Sequence, residues 1–455
     1  MPIQLMPLLK TFQNHINSQL PFLTESKLII AVSGGIDSVV LAHLCHSLNY
    51  NFVLAHCNFN LRDEESNADE NFVLELADHL NVEAFIQNFN TQAYADINKC
   101  SIQMAARELR YNWFKELATQ LQFNYILTAH HADDNLETFL INFTRGTGLN
   151  GLTGIPMLNQ NIARPLLPFS RAIIEIYAKA NTIVWREDSS NASRKYLRNK
   201  LRQQVVPILK EINPNLLDSF KTTLNNLNDT AAIVKQSLNA VAKRAIVTNN
   251  VNGITYKISE FKKVNNPKAY LFEMFKNYGF TQWNDIVNLL DAESGKFVAS
   301  HTHRLIKHRD YLLLTDLGHF ECIKTTFTIE ENSTVQTPMG QFQFEDVEAI
   351  DKTSKNIIYV DKEKLTFPLE LRLWKAQDAF QPLGMNGKKK ISKYLKDEKL
   401  SLVEKENTWL LTSNEDIIWV VGRRADERFR VTKTTSTILK LVFLAKTQRH
   451  KAIMK

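Results

Sequence analysis

Cysteine is scarce and scattered in this chain. Cys45, Cys57, Cys100 and Cys322 are its four cysteines, and no two form a Cys-x-x-Cys pair, which removes zinc-ribbon and disulfide-framework readings and points to a reducing cytoplasm. Long apolar runs are missing as well. None approaches the roughly 20 residues that a bilayer span requires, and residues 1–22 carry Lys10 as their one Lys or Arg, without a signal-peptide layout; no membrane association is expected. Glycine and proline number only 14 and 12, too few for a fibrous or low-complexity chain, and 44% apolar content describes an ordinary folded protein.

The chain is 455 residues long, too long for one core. At about 150 residues per domain it should hold about three units. Its net charge of +7 is modest, but Lys and Arg bunch at 194–202, 388–399 and 423–455. Such bunching is the footprint of a phosphate-backbone binder, with a solvated face as the alternative for any one cluster.

Residues 28–32, 52–56, 82–86 and 125–129 are short β-rich runs, and 39–48, 67–80 and 101–121 between them have helical apolar spacing. This alternation predicts a doubly wound α/β domain with a mainly parallel sheet. After Pro207 and Pro214 the alternation gives way to one long helical stretch over 216–247, so a boundary is expected near 215. A polar segment over 330–338 precedes short alternating strands. The expected organisation is therefore an α/β domain over 1–215, a mostly helical middle domain over 216–332 and a small α+β C-terminal domain over 333–455.

Ser33-Gly34-Gly35-Ile36-Asp37-Ser38 joins the first strand to the first crossover helix. Two glycines let the backbone turn tightly towards an anion, the helix amides point at it, and two hydroxyls add donors, an arrangement suited to pyrophosphate. No Gly-Lys-Ser/Thr follows and no Gly-x-Gly-x-x-Gly is present, so Walker-type and dinucleotide loops lose support. Asp37 beside bound phosphates needs an intervening cation, which points to Mg²⁺. The plainer alternative is a Gly-Gly turn with Ser and Asp as helix caps.

His130, Asp133, Asp134 and Glu137 fall where a strand ends and a helix begins, the place where open α/β sheets build their sites. Carboxylates there could ligate Mg²⁺ or clamp an ammonium group, while Asp133 and Asp134 could equally serve the helix N-terminus. Arg107 and Arg110 lie three apart on one predicted helix face, and an arginine could stabilise charge developing on an α-phosphate, with a solvated surface arginine as the equal alternative for either. Gly146 and Gly148 suggest a loop able to close over substrate, with a plain connector as the equal alternative. Arg194, Lys195, Arg198, Lys200 and Arg202 crowd one predicted helix, which a phosphate-facing surface explains.

Ser33 to Ser38 resembles the PP-loop of the N-type ATP pyrophosphatases. Further segments narrow the resemblance to the tRNA(Ile)-lysidine synthetase family. They are His56-Cys57-Asn58-Phe59-Asn60-Leu61-Arg62, Ala105-Ala106-Arg107-Glu108-Leu109-Arg110-Tyr111, Thr128-Ala129-His130-His131-Ala132-Asp133-Asp134-Asn135-Leu136-Glu137-Thr138, Arg145-Gly146-Thr147-Gly148-Leu149, Arg164-Pro165-Leu166-Leu167, Asp188-Ser189-Ser190-Asn191 and Tyr196-Leu197-Arg198-Asn199-Lys200-Leu201-Arg202. Gln381-Pro382-Leu383-Gly384-Met385 and Ile418-Trp419-Val420-Val421-Gly422-Arg423-Arg424-Ala425-Asp426 match more loosely. Gln377-Asp378-Ala379-Phe380 stands where the family has Gly-Asp-Arg-Phe, and the stretch after Leu400 lacks the family's arginine.

The resemblance implies a ligase that adenylates O2 of the wobble cytidine in the CAU anticodon of tRNA(Ile) and then attaches free L-lysine at C2, with ATP and Mg²⁺. It implies ATP contacts from Ser33, Gly34, Gly35, Ile36, Asp37 and Ser38, and catalytic roles for Asp37, Arg107 and Asp134, with Asp37 and Asp134 on the metal. His130, Asp133, Asp134 and Glu137 would contact lysine or cytidine, and Arg194, Arg198, Arg202, Lys388 and Lys389 the tRNA. Homodimer formation is left open.

Overall fold

The computed structural model describes residues 8–61, 63–186, 197–250, 253–317, 326–331, 334–337 and 340–445. Arg62, Asp188 to Asn191, Arg194, Lys195, Tyr196 and Cys322 lie outside them. The chain forms two compact units, residues 1–234 and 235–455.

In the first unit the chain runs through Leu8–Gln19 (α1), Leu28–Ala31 (β1), Ile36–Ser47 (α2), Phe52–Asn58 (β2), Asp63–Leu80 (α3), Ala84–Asn88 (β3), Thr91–Ile97 (α4), Ile102–Gln120 (α5) and Tyr125–Leu127 (β4). It continues with Ala132–Thr144 (α6), Leu149–Leu152 (α7), Leu158–Asn159 (β5), Ile162–Ala163 (β6), Arg171–Ala180 (α8), Leu197–Lys200 (α9), Val206–Ile212 (α10) and Leu216–Ala245 (α11). The sheet order is β3-β2-β1-β4-β6-β5, parallel throughout except for β5 against β6.

β1 is apolar at every position because both its faces are covered. Leu28 and Ile30 pack towards α1, α2 and α8, while Ile29 meets Phe114, Leu117 and Ala118 of α5 on the other face. The chain adds β2 and β3 on one side of β1 and β4 and β6 on the other, so strand order reverses between β1 and β4. That switch point is where an open α/β sheet leaves a crevice beyond its strand ends. The pairing of β1 with β4 sets the Ser33–Ser38 loop beside the segment from Thr128 to Glu137.

α9 and α10 flank a π-helical turn, Leu201–Val205, in which the Val206 N–H reaches back to Leu201 O. Pro207 explains it: an α-helical course would press the proline ring on the carbonyl four residues earlier and leave that carbonyl without its donor. Arg198 and Arg202 consequently project together towards α6.

In the second unit helices are accompanied by a sheet that the sequence reading did not register. Ile246–Asn250 (β7), Gly253–Lys257 (β8), Phe297–Ala299 (β9), His303–His308 (β10) and Tyr311–Asp316 (β11) pair antiparallel in the order β7-β8-β11-β10-β9. Ile258–Lys262 (α12), Pro267–Phe275 (α13) and Trp283–Asn288 (α14) lie between β8 and β9 in sequence, and Phe261, Leu271, Phe275 and Ile286 join Leu305 and Leu312 in its core. Beyond it two antiparallel sheets, one around Leu369–Leu373, Trp409–Ser413 and Asp416–Val420 and one around Gly340–Val347 and Ile438–Ala445, bury Phe342 and Trp419.

Candidate active site

The loop after β1 is a tight turn that leads directly into α2. Gly34 has φ +85°, in the left-handed region that favours glycine, and its carbonyl accepts the Arg186 N–H at 3.0 Å. The Ser33 N–H donates to Ser38 Oγ at 3.2 Å, and Ser38 Oγ donates to the Gly35 carbonyl at 2.9 Å. Ser38 is therefore engaged within the loop, and Ile36 is buried in the core, so Ile36 can offer an anion its backbone amide alone. The His56 imidazole, donating through Nδ1 to the Val32 carbonyl at 2.9 Å, fixes the strand end from below.

Asp37, in the first turn of α2, faces α6 and α8. Arg171 Nη1 donates to its Oδ2, and His131 Nε2 stands 3.7 Å from the same oxygen. Its Oδ1 is buried without a hydrogen-bond partner. Burial pushes the Asp37 carboxyl above the usual range, against the pull of His131 and Arg171.

His131 is the hinge of the cluster. As N-cap of α6 it accepts the Asp134 N–H through Nδ1 at 3.4 Å, and its own N–H donates to Asp134 Oδ2 at 3.1 Å, a reciprocal capping box. With Nδ1 accepting, the ring hydrogen sits on Nε2, which is 3.3 Å from Asp134 Oδ2 as well as close to Asp37. One imidazole thus lies between the two carboxylates.

Asp133 accepts the Arg171 N–H at 2.8 Å and the Lys210 ammonium at 2.6 Å. Asp134 accepts Arg198 and Arg202 at 3.3 and 3.1 Å. Glu137, only 1% exposed, accepts Arg198 Nε at 2.8 Å and Arg202 Nε at 2.6 Å. Burial raises the carboxyls of Asp133 and Asp134, but the Arg171 amide and Lys210 for the first, and His131 and Arg198 for the second, outweigh it and hold both below the usual range. His130, hydrogen-bonded to Thr128 Oγ1 at 3.0 Å, is pushed down to about 4 by burial, with Arg164 and Arg198 adding to the effect and Asp134 opposing it.

Arg198 and Arg202, expected on a tRNA-facing surface, are thus found on the acidic cluster. Arg107 is exposed, and its guanidinium carbon stands 5.0 Å from the centroid of the Tyr111 ring. The Tyr111 hydroxyl lies near the buried guanidinium of Arg164, which donates to the Pro156 carbonyl at 2.7 Å. Lys388 is exposed, while Lys389 pairs with Asp397 at 2.8 Å in the second unit. His131, Arg171 and Lys210 were not among the expected site residues. Arg171 and Lys210 lack any local motif, whereas His131, three residues before Asp134 at a helix start, had the spacing of a capping box.

Among the described residues no three His, Cys, Asp or Glu side chains are arranged to cage a metal. Mg²⁺ at phosphates needs only one or two carboxylates, the phosphate oxygens and water, and the unpartnered Oδ1 of Asp37 fits that requirement. Asp134, the other expected ligand, already accepts at both oxygens, from Arg198 and Arg202 at Oδ1 and from the His131 N–H at Oδ2.

A model of the PP-loop domain matches residues 8–209, a TilS substrate binding domain matches 249–317 and a TilS substrate C-terminal domain matches 369–441. The fold and its loop define a PP-loop enzyme, a ligase that uses ATP. The tRNA(Ile)-lysidine synthase of Parabacteroides distasonis is 40% identical over 426 residues, covering 92% of this chain and 96% of its own. That of Bacteroides thetaiotaomicron is 39% identical over 429 residues, covering 93% and 97%, and that of Caldanaerobacter subterraneus 30% identical over 441 residues, covering 91% and 93%. The chain belongs to the tRNA(Ile)-lysidine synthase family, as the resemblance in its motifs implied. Among the described residues no helix is long and apolar enough to cross a membrane.

Proposed function

We propose that this chain adenylates O2 of the wobble cytidine in a CAU-anticodon tRNA(Ile) and then joins free L-lysine to C2. The observation that carries this reading is the placement of an acidic cluster, Asp37, Asp133, Asp134 and Glu137, directly beside an anion-binding loop at the switch point of the sheet. A small-molecule phosphate site has no need of such a cluster; a site that takes both a triphosphate and a cationic amino acid does.

In this reading the pyrophosphate of ATP lies on the loop from Ser33 to Ser38, and the cytosine O2 attacks the α-phosphorus as pyrophosphate leaves. Adenylation makes O2 a leaving group, because a ring C2 carbonyl is otherwise a poor electrophile. The lysine ε-amine then attacks C2, AMP departs with O2, and the amine loses its proton. Asp37 and Asp134 would hold Mg²⁺, which supplies charge neutralisation at the phosphates. Asp133 and Glu137 orient lysine through a charged amino group, His130 remains unprotonated near neutral pH and contacts lysine or cytidine, and Arg107 meets negative charge developing on the α-phosphate.

The basic residues of 216–332 and 333–455, including Lys388 and Lys389, together with Arg194, would hold the tRNA backbone, and the reaction belongs in the cytoplasm, where its substrates are. The test is incubation of the protein with Mg²⁺, ATP, radiolabelled lysine and an unmodified CAU-anticodon tRNA(Ile) transcript. ATP-dependent label in the anticodon is the expected result; none, with folded protein and intact substrates, would reject the reading.

A further inference from the structure

The middle region contains a cleft that the chemistry above does not use. It is open, measures about 550 Å³ and is bordered by α13 and the start of α14. Its apolar part is a pair of aromatic rings: Phe272 and Trp283 meet edge to face with centroids 4.7 Å apart and planes at 67°. Leu271 and Phe275 carry the core-facing side of α13. Phe272, one position round the helix, is 39% exposed and turns its ring to the cleft.

The rim is polar. Lys268 donates to Asn284 Oδ1 at 2.9 Å, which fixes the amide so that its two N–H donors face away from the lysine. Asn266 and Thr281 complete the lining, and the Lys276 ammonium stands 5.7 Å from the Phe272 centroid. An edge-to-face pair leaves a ring face open, and a planar heterocycle stacks on such a face whatever its identity. Fixed amide donors suit the carbonyl or ring-nitrogen acceptors of a base edge, and Lys268 suits a phosphate, whereas Lys276 is already paired with Glu273 at 2.5 Å. A protein partner would want a larger apolar patch with fewer polar groups at its centre.

We propose that this cleft binds one unpaired nucleotide of the RNA substrate, with the base stacked on the face of one ring of the Phe272–Trp283 pair, that of Phe272, its edge towards Asn284 and its phosphate towards Lys268. The proposal rests on the reading that the chain acts on tRNA, and it adds a base-stacking anchor separate from the reacting cytidine.

Binding of a fluorescent tRNA(Ile) transcript to the full-length protein, followed by anisotropy over a salt series, tests it. Phe272→Ala and Phe272→Leu should each weaken binding about 10-fold, the range of one lost base–aromatic stack, while Phe272→Tyr stays close to wild type. Lys268→Ala should lower the slope of log K against log salt by about 1, and Phe272→Leu should leave that slope unchanged. Phe272→Ala and Phe272→Leu lose the edge-to-face contact with Trp283 and should melt somewhat below wild type while remaining folded at the assay temperature, whereas Phe272→Tyr keeps the ring pair and should melt close to wild type. Unchanged affinity in Phe272→Ala, or a Phe272→Leu protein that binds like wild type, would overturn the stacking site. Failure of the wild-type protein to bind any tRNA would instead remove the RNA-substrate reading, and this inference with it.

Discussion

Asp37 and Arg171 lie 134 residues apart in the chain, yet the guanidinium of one is hydrogen-bonded to a single carboxylate oxygen of the other. The second oxygen of Asp37 is left buried and unpartnered. Arg171 therefore fixes the carboxylate's rotation and leaves one acceptor for a cation at the phosphate loop. Replacement by Asp37→Ala should reduce pyrophosphate release by about 100-fold or more, the scale of losing a preorganised electrostatic group, with tRNA affinity nearly unchanged. A fully active mutant in a pyrophosphate-release assay would sink the metal assignment.

Arg171 also bears on pH. Burial raises the Asp37 carboxyl, while His131 and Arg171 pull it down. Removing the Arg171 guanidinium lets the carboxyl rise further, so protonated Asp37 persists to higher pH. The acid limb of kcat/KM for ATP should move to higher pH in Arg171→Gln, and a profile superimposable on wild type would show that Asp37 ionisation does not control that limb.

Glu137 is almost wholly buried, but Arg198 and Arg202, which hold it, are each 40% exposed. The arginines can return to water when the acid is neutralised, so Glu137→Gln should cost only about 1 kcal/mol of stability. Its effect on lysine should be larger. If this carboxylate orients a charged amino group, the KM for lysine rises about 10-fold on loss of a charge-assisted bond, while the KM for ATP holds. Steady-state kinetics with each substrate varied in turn would distinguish this from general damage.

His130 gives a stability signature with a defined sign. Its folded-state value of about 4 lies below the ordinary 6.5, so between these values the unfolded chain binds a proton that the folded chain refuses. Stability should fall as pH drops from 6.5 to 4, by on the order of 3 kcal/mol from this group. Asp133 and Asp134 act lower. Their depressed carboxyls contribute stability that is present above 3.8 and lost as pH falls through their folded values. Denaturant melts between pH 4 and 7 should show a shallower slope in His130→Gln than in wild type; equal slopes would place the titration elsewhere.

The parts of this molecule that were legible in its sequence are those with a local physical cause. β1 and its three companions are short apolar runs bounded by turn residues, and the loop from Ser33 to Ser38 lies where strand gives way to helix. The acids of α6 were legible as a group because they share one helical turn. What joins them was not. Arg171 and Lys210 reach Asp37 and Asp133 across 134 and 77 residues, and no periodicity encodes a meeting of that kind. Arg198 and Arg202 were visible as a basic run, but charge density alone does not distinguish an arginine facing RNA from one facing a buried glutamate. The middle sheet was missed because Ile246–Asn250 is exposed at every position, so it lacks the buried alternation that marks a strand, and the helical spacing of α11 seemed to continue into it.

Arg107 has no carboxylate to hold it among the contacts described; its guanidinium lies over the ring of Tyr111, and the Tyr111 hydroxyl lies near the buried Arg164. This chain of contacts makes Arg164 a positioning residue for Arg107. Arg164→Lys keeps the charge but loses the planar fork that serves Tyr111 and the Pro156 carbonyl together. It should lower kcat for adenylation about 10-fold, on the scale of a misplaced electrostatic group, and leave the KM for ATP within about 2-fold. A double-mutant cycle decides the matter: if Arg164 acts through Arg107, then adding Arg164→Lys to Arg107→Ala should cost almost nothing further in kcat. Additive losses would mean that the two arginines act independently.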